Sequence, residues 1–224
     1  MRGGVGNSFV HARLALRLRA MDHRTAVSRA FDRADLRERK RRAVVRAAAS
    51  AFNAAGFANT SMEDVAARLG ITKPTLYQYF RSKQEILFEC HLLAVQHGEA
   101  GLRAAASCGG SGLEKVLAYA ERFMTGFFDD LGACTVLLDV ASLREEDRGE
   151  IIKRREAVSA GVEACLQSGV ADGSVAACDP KLAAFFIFGV VNWMSVWYRP
   201  DGQSSPREIL DLYSRMLRSG LQAK

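Results

Sequence analysis

The stretch NTSMEDVAARLGITKPTLYQYFRSKQEI, Asn59 to Ile86, decides the fold, and the segment ITKPTLYQYF inside it carries most of that decision. Ser61 is a good N-cap and Asp64 completes a capping box, so a first short helix is expected from Met62, with Val65, Ala66 and Leu69 turned inward. Gly70 ends it, because a residue without a Cβ enters the left-handed region that turns the chain sharply. A second helix opens near Thr72 with Pro74 in its first turn, where a missing N–H is no loss. Leu76 and Phe80, one turn apart, face a core, which leaves Thr72, Lys73, Thr75, Tyr77, Gln78 and Tyr79 pointing elsewhere. Cationic, hydroxyl, amide and aromatic groups of this kind reach phosphates, base edges and thymine methyls in a major groove. Two short helices joined by so tight a turn read as a helix-turn-helix whose second helix does the reading.

Upstream, a helix is expected from Asp35 to about Ala55, with Val44, Ala48, Ala51, Phe52 and Ala55 on one stripe and Arg39, Lys40, Arg41, Arg42 and Arg46 around it. It is the third member of a small bundle, and its basic face, Lys40 included, is available to phosphate. Ahead of it, residues 1–34 are Arg-rich and weakly periodic and are expected to form a mobile extension, within which Met21 offers an alternative start. Downstream, Ser82 and Glu85 form a further capping box. A long helix follows to about Ala106 with Lys83 at its start, near enough to a duplex to hold a phosphate.

Charge agrees with that placement. The net charge of +6 divides unevenly: Met1 to Lys83 holds 17 Lys/Arg against 6 Asp/Glu, or +11, and the remainder 14 against 19, or −5. Positive charge thus gathers around the helix-turn-helix, as a polyanion requires. The five cysteines, Cys90, Cys108, Cys134, Cys165 and Cys178, are scattered and form no close pair, which argues against a disulfide framework or a zinc site and fits a reducing cytoplasm. Arginines interrupt every apolar run near the N-terminus, so no signal peptide is read, and the run Leu182 to Tyr198 is read as a helix at a protein interface rather than a membrane span.

Beyond the long helix, Ser107 to Gly112 (SCGGSG) is a connector, since a phosphate cradle needs a GxxxxGK[ST] run that is missing. Leu113 to Asp130 has helical spacing, Thr135 to Leu143 gives a short apolar helix, and Asp147 is placed to cap a helix that reaches Gly169. Asp179-Pro180 opens Lys181 to Tyr198, and Ser205-Pro206-Arg207-Glu208 opens the last helix. No strand is convincing. The fold class is all-α, about nine helices in all, with a head over 35–82 and a larger body over 83–224.

Gly56-Phe57, Thr60 to Ala66 and Leu69 to Leu87 together resemble the DNA-binding domain of the TetR family of one-component transcriptional regulators, over roughly Leu36 to Leu93. The resemblance implies a homodimer on a double-stranded, palindromic operator, a body that binds a small effector, and release of DNA on binding. Tyr77, Tyr79, Thr60, Ser61 and Lys83 are then the phosphate clamps; Lys73, Thr75 and Gln78 are the base readers, with Thr72 at the mouth of the reading helix. The two last helices are the dimerisation elements, because Lys181 to Tyr198 is apolar nearly all round.

The effector is expected among the middle helices, where Phe123, Phe127, Phe128, Leu137, Leu138, Trp193 and Trp197 line an apolar cavity. The run Asn192 to Gly202 resembles TetR members that sense acyl-coenzyme A thioesters of lipid, sterol or branched-chain catabolism. Arg144, Arg148, Lys153, Arg154 and Arg155 supply cations for such a ligand's phosphates, and a solvated face paired with Glu145, Glu146 and Glu150 explains them as well. The alternative effector is a lipophilic or aromatic compound, as in regulators of efflux or stress operons. A helical enzyme is the rival class, but no GxSxG, HExxH or Rossmann fingerprint is found, and no cofactor or metal is implied. His91 and His97, six apart, have poor metal-ligand spacing and read as partly exposed surface residues.

Overall fold

The computed structural model describes residues 34–128, 140–199 and 201–223, apart from the side chain of Ser195. Expectations for the N-terminal extension, for Leu137 and Leu138, and for most of Thr135 to Leu143 lie outside the described residues. Among the described residues all regular structure is helical: α1 (34–55), α2 (Met62–Arg68), α3 (Lys73–Tyr77), α4 (Lys83–Ser107), α5 (Gly112–Gly126), α6 (Glu145–Ala171), α7 (Pro180–Trp197) and α8 (Pro206–Leu221). A 3-10 turn, Val140–Ser142, is the described part of the short helix expected before α6. Extended pairing among the described residues is limited to one bridge between Val175 and Gln222.

The chain divides into two compact units, 1–43 and 44–224. Of the first, the described residues 34–43 are helical, with exposed pairs one turn apart, Arg39–Asp35 at 2.7 Å and Arg42–Glu38 at 3.2 Å. In the second, Val44, Val45, Ala48, Ala49 and Phe52 of α1 share a core with Val65 and Ala66 of α2, Leu76 and Phe80 beyond the turn, and Ile86, Leu87 and Cys90 of α4. The head and the first turns of α4 are therefore packed as one body.

Local signals set the helix starts. Ser61 and Asp64 exchange side-chain and backbone bonds as a full capping box, Ser61 N–H to Asp64 at 2.8 Å and Asp64 N–H to Ser61 Oγ at 3.1 Å. Gly70 takes φ +63°, the left-handed value the turn into α3 needs. At α4 the expected box is only half made. Ser82 Oγ accepts from Glu85 N–H, but the Glu85 carboxylate accepts from the amide of Arg81, one residue earlier than Ser82. Ser111 with Glu114 and Ser205 with Glu208 make complete boxes for α5 and α8, and Asp179 caps α7 ahead of Pro180. Asp147 does not cap α6, which starts three residues sooner than such a cap would set, at Glu145; its carboxylate takes Arg144 instead, at 2.7 Å.

α5 and α6 meet backbone to backbone. A Cβ on Gly112 would stand 2.0 Å from the Gly169 nitrogen, so nothing larger than glycine fits. Asp172 and Ser174, just past α6, accept hydrogen bonds from the amides of Gly112 (2.7 Å) and Leu113 (3.1 Å), fixing the first turn of α5 there. The glycine-containing connector thus permits a tight crossing. α8 is tied to α7 by Tyr213, whose hydroxyl donates to the Ile187 carbonyl at 3.1 Å.

Candidate functional site

Two surfaces in 44–224 carry chemistry, the face of α3 and a cavity in the helical body. On α3, Leu76 and, just past it, Phe80 are buried, which rolls Thr72, Lys73, Tyr77 and Gln78 outward; Tyr77 is 44% exposed. Thr75 and Tyr79 are half-buried, and Tyr79 packs on the core. Thr72 caps the helix, accepting the Thr75 amide, and the two hydroxyls stand 2.8 Å apart. Ser61 is engaged with Asp64. Lys73 pairs with Glu63 of α2 and lies 5.9 Å from the Tyr77 ring centre. That hydrogen bond holds the Glu63 carboxyl below its ordinary range and raises the Lys73 ammonium above its own. Lys40 of the first unit is exposed.

Two expected phosphate clamps turn inward instead. Thr60 is 3% exposed, and its hydroxyl donates to the carbonyls of Gly56 (2.9 Å) and Ala51 (3.4 Å). The Lys83 ammonium donates to the carbonyls of Phe57 (2.6 Å) and Thr60 (2.7 Å) and lies 4.3 Å from the Phe57 ring centre. The physical reason is the turn between α1 and α2: the Phe57 and Thr60 carbonyls lie outside both helices, and a flexible ammonium with several donors satisfies them.

The cavity, about 570 Å³, lies between α4, α5, α6 and α7. Phe123 and Phe127 line it, as the sequence suggests. Tyr119 and Phe188 join them: Tyr119 stacks on Phe123 with centres 5.6 Å apart, and Phe188 meets both rings edge-on. Tyr119 is fully buried, its hydroxyl has no hydrogen-bond partner among the described residues, and burial pushes its pKa upward. Trp193 and Trp197 do not line the cavity. They stand 64% and 47% exposed on the other side of α7, whose cavity face is Phe185, Phe188, Val191 and Asn192. Arg144 is not there either, being exposed and bound to Asp147 and Glu146. Leu138 lies outside the described residues.

Of the several cations on α6, the one that lines the cavity is Arg155, and Lys181 of α7 lines it as well. One of its nitrogens stands 2.7 Å from Nδ1 of His91, which corrects the expectation for His91: it is 1% exposed, inside α4's packed face. Burial pushes the Arg155 guanidinium below its ordinary pKa. Tyr119 was open to detection, since it stands one helical turn before Phe123; Arg155 and His91 are 64 residues apart and leave no local trace. Among the described residues no group of three or more His, Cys, Asp or Glu is placed to hold a metal ion, and no helix is long and apolar enough to cross a membrane.

Comparison with known proteins bears on both surfaces. Residues 44–90 match the family of bacterial regulatory proteins, tetR family, and residues 109–221 match the tetracyclin repressor-like C-terminal domain. Among solved structures, the TetR family transcriptional regulator PfmR from Thermus thermophilus is 31% identical, with 80% of this chain and 98% of that one covered at a TM-score of 0.68. The ketosteroid transcriptional regulator KstR2 of Mycobacterium tuberculosis is 21% identical over 83% and 96%, TM-score 0.72. AibR, solved in complex with isovaleryl coenzyme A and operator DNA, is 24% identical over 79% and 97%, TM-score 0.65. No curated protein matches the chain.

Proposed function

The chain belongs to the TetR family of ligand-responsive, DNA-binding transcriptional regulators, and from that premise we propose that it is a homodimeric repressor, released from a palindromic operator when a lipophilic effector fills the cavity between α4 and α7. The observation that carries the reading is the division of α3: its apolar side is in the core while Lys73, Tyr77 and Gln78 stand outward, on a helix that leads directly into a cavity wall. Lys73, Thr75 and Gln78 are the base readers, Lys73 suited to guanine and Gln78 to adenine, with Thr72, Ser61, Tyr77 and Tyr79 on the sugar–phosphate side. Effector entry tilts α4 and alters the separation of the two heads, and it does so only as far as the effector prefers one arrangement over the other.

Dimerisation is supported by α7. Leu182, Phe186, Val190, Trp193 and Trp197 recur at helical spacing and are all exposed, Phe186 at 77%, while Met216 of α8 continues the apolar face at 65%. A second copy about a two-fold axis covers such a face and sets two reading heads about 34 Å apart, one duplex turn. An acyl-coenzyme A thioester is one effector class, suggested by the resemblance of Asn192 to Gly202 and by AibR's complex. The aromatic wall of Tyr119, Phe123 and Phe188 favours a second, an aromatic or lipophilic compound sensed at an efflux or stress operon. Placed in the cytoplasm, the protein meets both its DNA and such metabolites.

The test is binding of the purified protein to the DNA upstream of its own coding sequence, across a salt series, with mass measured on the bound species. A dimer per palindrome with affinity falling steeply with salt is expected. Indifference to sequence, or a bound monomer, would refute the reading.

A further inference from the structure

We infer that the cavity selects an amphipathic organic acid, its apolar body against the aromatic wall and its carboxylate paired with the guanidinium of Arg155. This rests on the cavity being the effector site proposed above. The argument starts from two adjacent arginines on α6. Arg154 is paired with carboxylates: its Nε and Nη2 each lie 2.9 Å from an oxygen of Glu99, and Glu150 stands 3.6 Å away. Arg155 points into the cavity, and its hydrogen-bond partner is the His91 ring nitrogen, with no carboxylate paired to it among the described residues. A guanidinium only donates, so His91 Nδ1 accepts and the ring is neutral, its proton on the other nitrogen. His91 therefore aims the guanidinium without cancelling its charge.

A half-buried cation on a wall shared with Val95, Phe127 and Val191 has given up part of its hydration, and His91 returns no charge to it. A carboxylate supplies that charge, in the two-toothed geometry Arg favours. A single guanidinium suits one negative charge; a phosphate dianion would be half compensated. The other charged groups on the wall do not substitute. Glu156 and Lys181 are exposed and screened by water, and Glu163, which accepts from Ser159 at 3.0 Å, lies about 12 Å farther along α6 at 1.5 Å per residue. The cavity thus sets one half-buried guanidinium in a largely apolar wall. Its volume, about 570 Å³, suits a ligand of moderate size.

The experiment is titration calorimetry of the full chain, without DNA, against decanoate, methyl decanoate and decanoyl-coenzyme A. Decanoate is expected to bind about tenfold or more tightly than its methyl ester. Arg155→Met is expected to erase that preference while leaving the ester within about twofold, and Arg155→Lys, which keeps a charge should the Met variant not fold, to retain part of it. Equal binding of acid and ester by the wild type overturns the proposal, whatever the variants do. So does a preference that survives in Arg155→Met, or decanoyl-coenzyme A binding more tightly than decanoate with no loss in that variant. Operator binding measured in parallel separates the two claims: acid preference without operator binding leaves this inference standing and removes the regulator reading, and the converse does the reverse.

Discussion

Lys83 shows how one side chain can change its task between sequence and structure. It stands where a phosphate contact is expected, yet its ammonium closes the turn after α1 through the carbonyls of Phe57 and Thr60. Lys83→Met should therefore lower stability by roughly 1.5–3 kcal/mol, the range for hydrogen bonds from a charged donor, read as a fall in the denaturant midpoint, with the salt slope of DNA binding unchanged. A slope smaller by about one contact with unaltered stability would return Lys83 to the duplex. Lys73 presents the opposite case, an exposed residue proposed as a reader and held by Glu63 in the absence of DNA. Glu63→Gln should raise affinity for DNA roughly two- to fivefold at low salt, with the gain shrinking as salt rises; equal affinities in a fluorescence anisotropy titration at low salt would count against Lys73 as a reader. The same pair gives a pH sign. Because the folded Glu63 carboxyl is held below 4.5, the pair's contribution is intact above that value and is lost as pH falls through the lowered one.

At the scale of elements, the crossing of α5 and α6 is the sharpest constraint. Gly112→Ala places a methyl against backbone that has no rotamer to yield, so a loss of about 3 kcal/mol or more is expected in chemical unfolding, with the cavity distorted as α5 shifts. A neutral Gly112→Ala would mean the helices can separate freely. Elements were legible where the signal is local: Ser61 with Asp64, Pro74, Asp179-Pro180 and Ser205 with Glu208 announce their helices within a few residues. Sites were less so. α7 is apolar on nearly every side, so its spacing has no phase, and Trp193 and Trp197 could be assigned to the cavity as readily as Phe188 and Val191. Thr60, Lys83 and Arg155 owe their roles to partners reached through the fold, carbonyls or a ring that no sequence spacing marks.

For the whole molecule, the exposed stripe on α7 has to be covered for two heads to act together. Phe186→Glu should leave the helical content intact, convert the protein to a monomer by light scattering, and reduce palindrome binding by about a hundredfold or more, since joined heads profit from high effective concentration. A variant that stays dimeric with full affinity would place the two-fold axis elsewhere. The head reads as an independent unit in sequence, yet its core continues into α4 through Ile86, Leu87 and Cys90, a continuous packing through which the proposed coupling would run. One further tie, Gln84 Nε2 donating to the Ser142 carbonyl at 2.8 Å, joins the first turn of α4 to the segment that leads into α6.

Gly112 and Gly169 meet beyond the cavity, at the end of the body where α4 finishes, and bare main chain pressed on main chain has no slack to give up. A pair of tongs riveted at one end opens at the other. Whatever swells the space between α4 and α6 should show its displacement around Gln84 and Ser142, beside the helix proposed to read the operator.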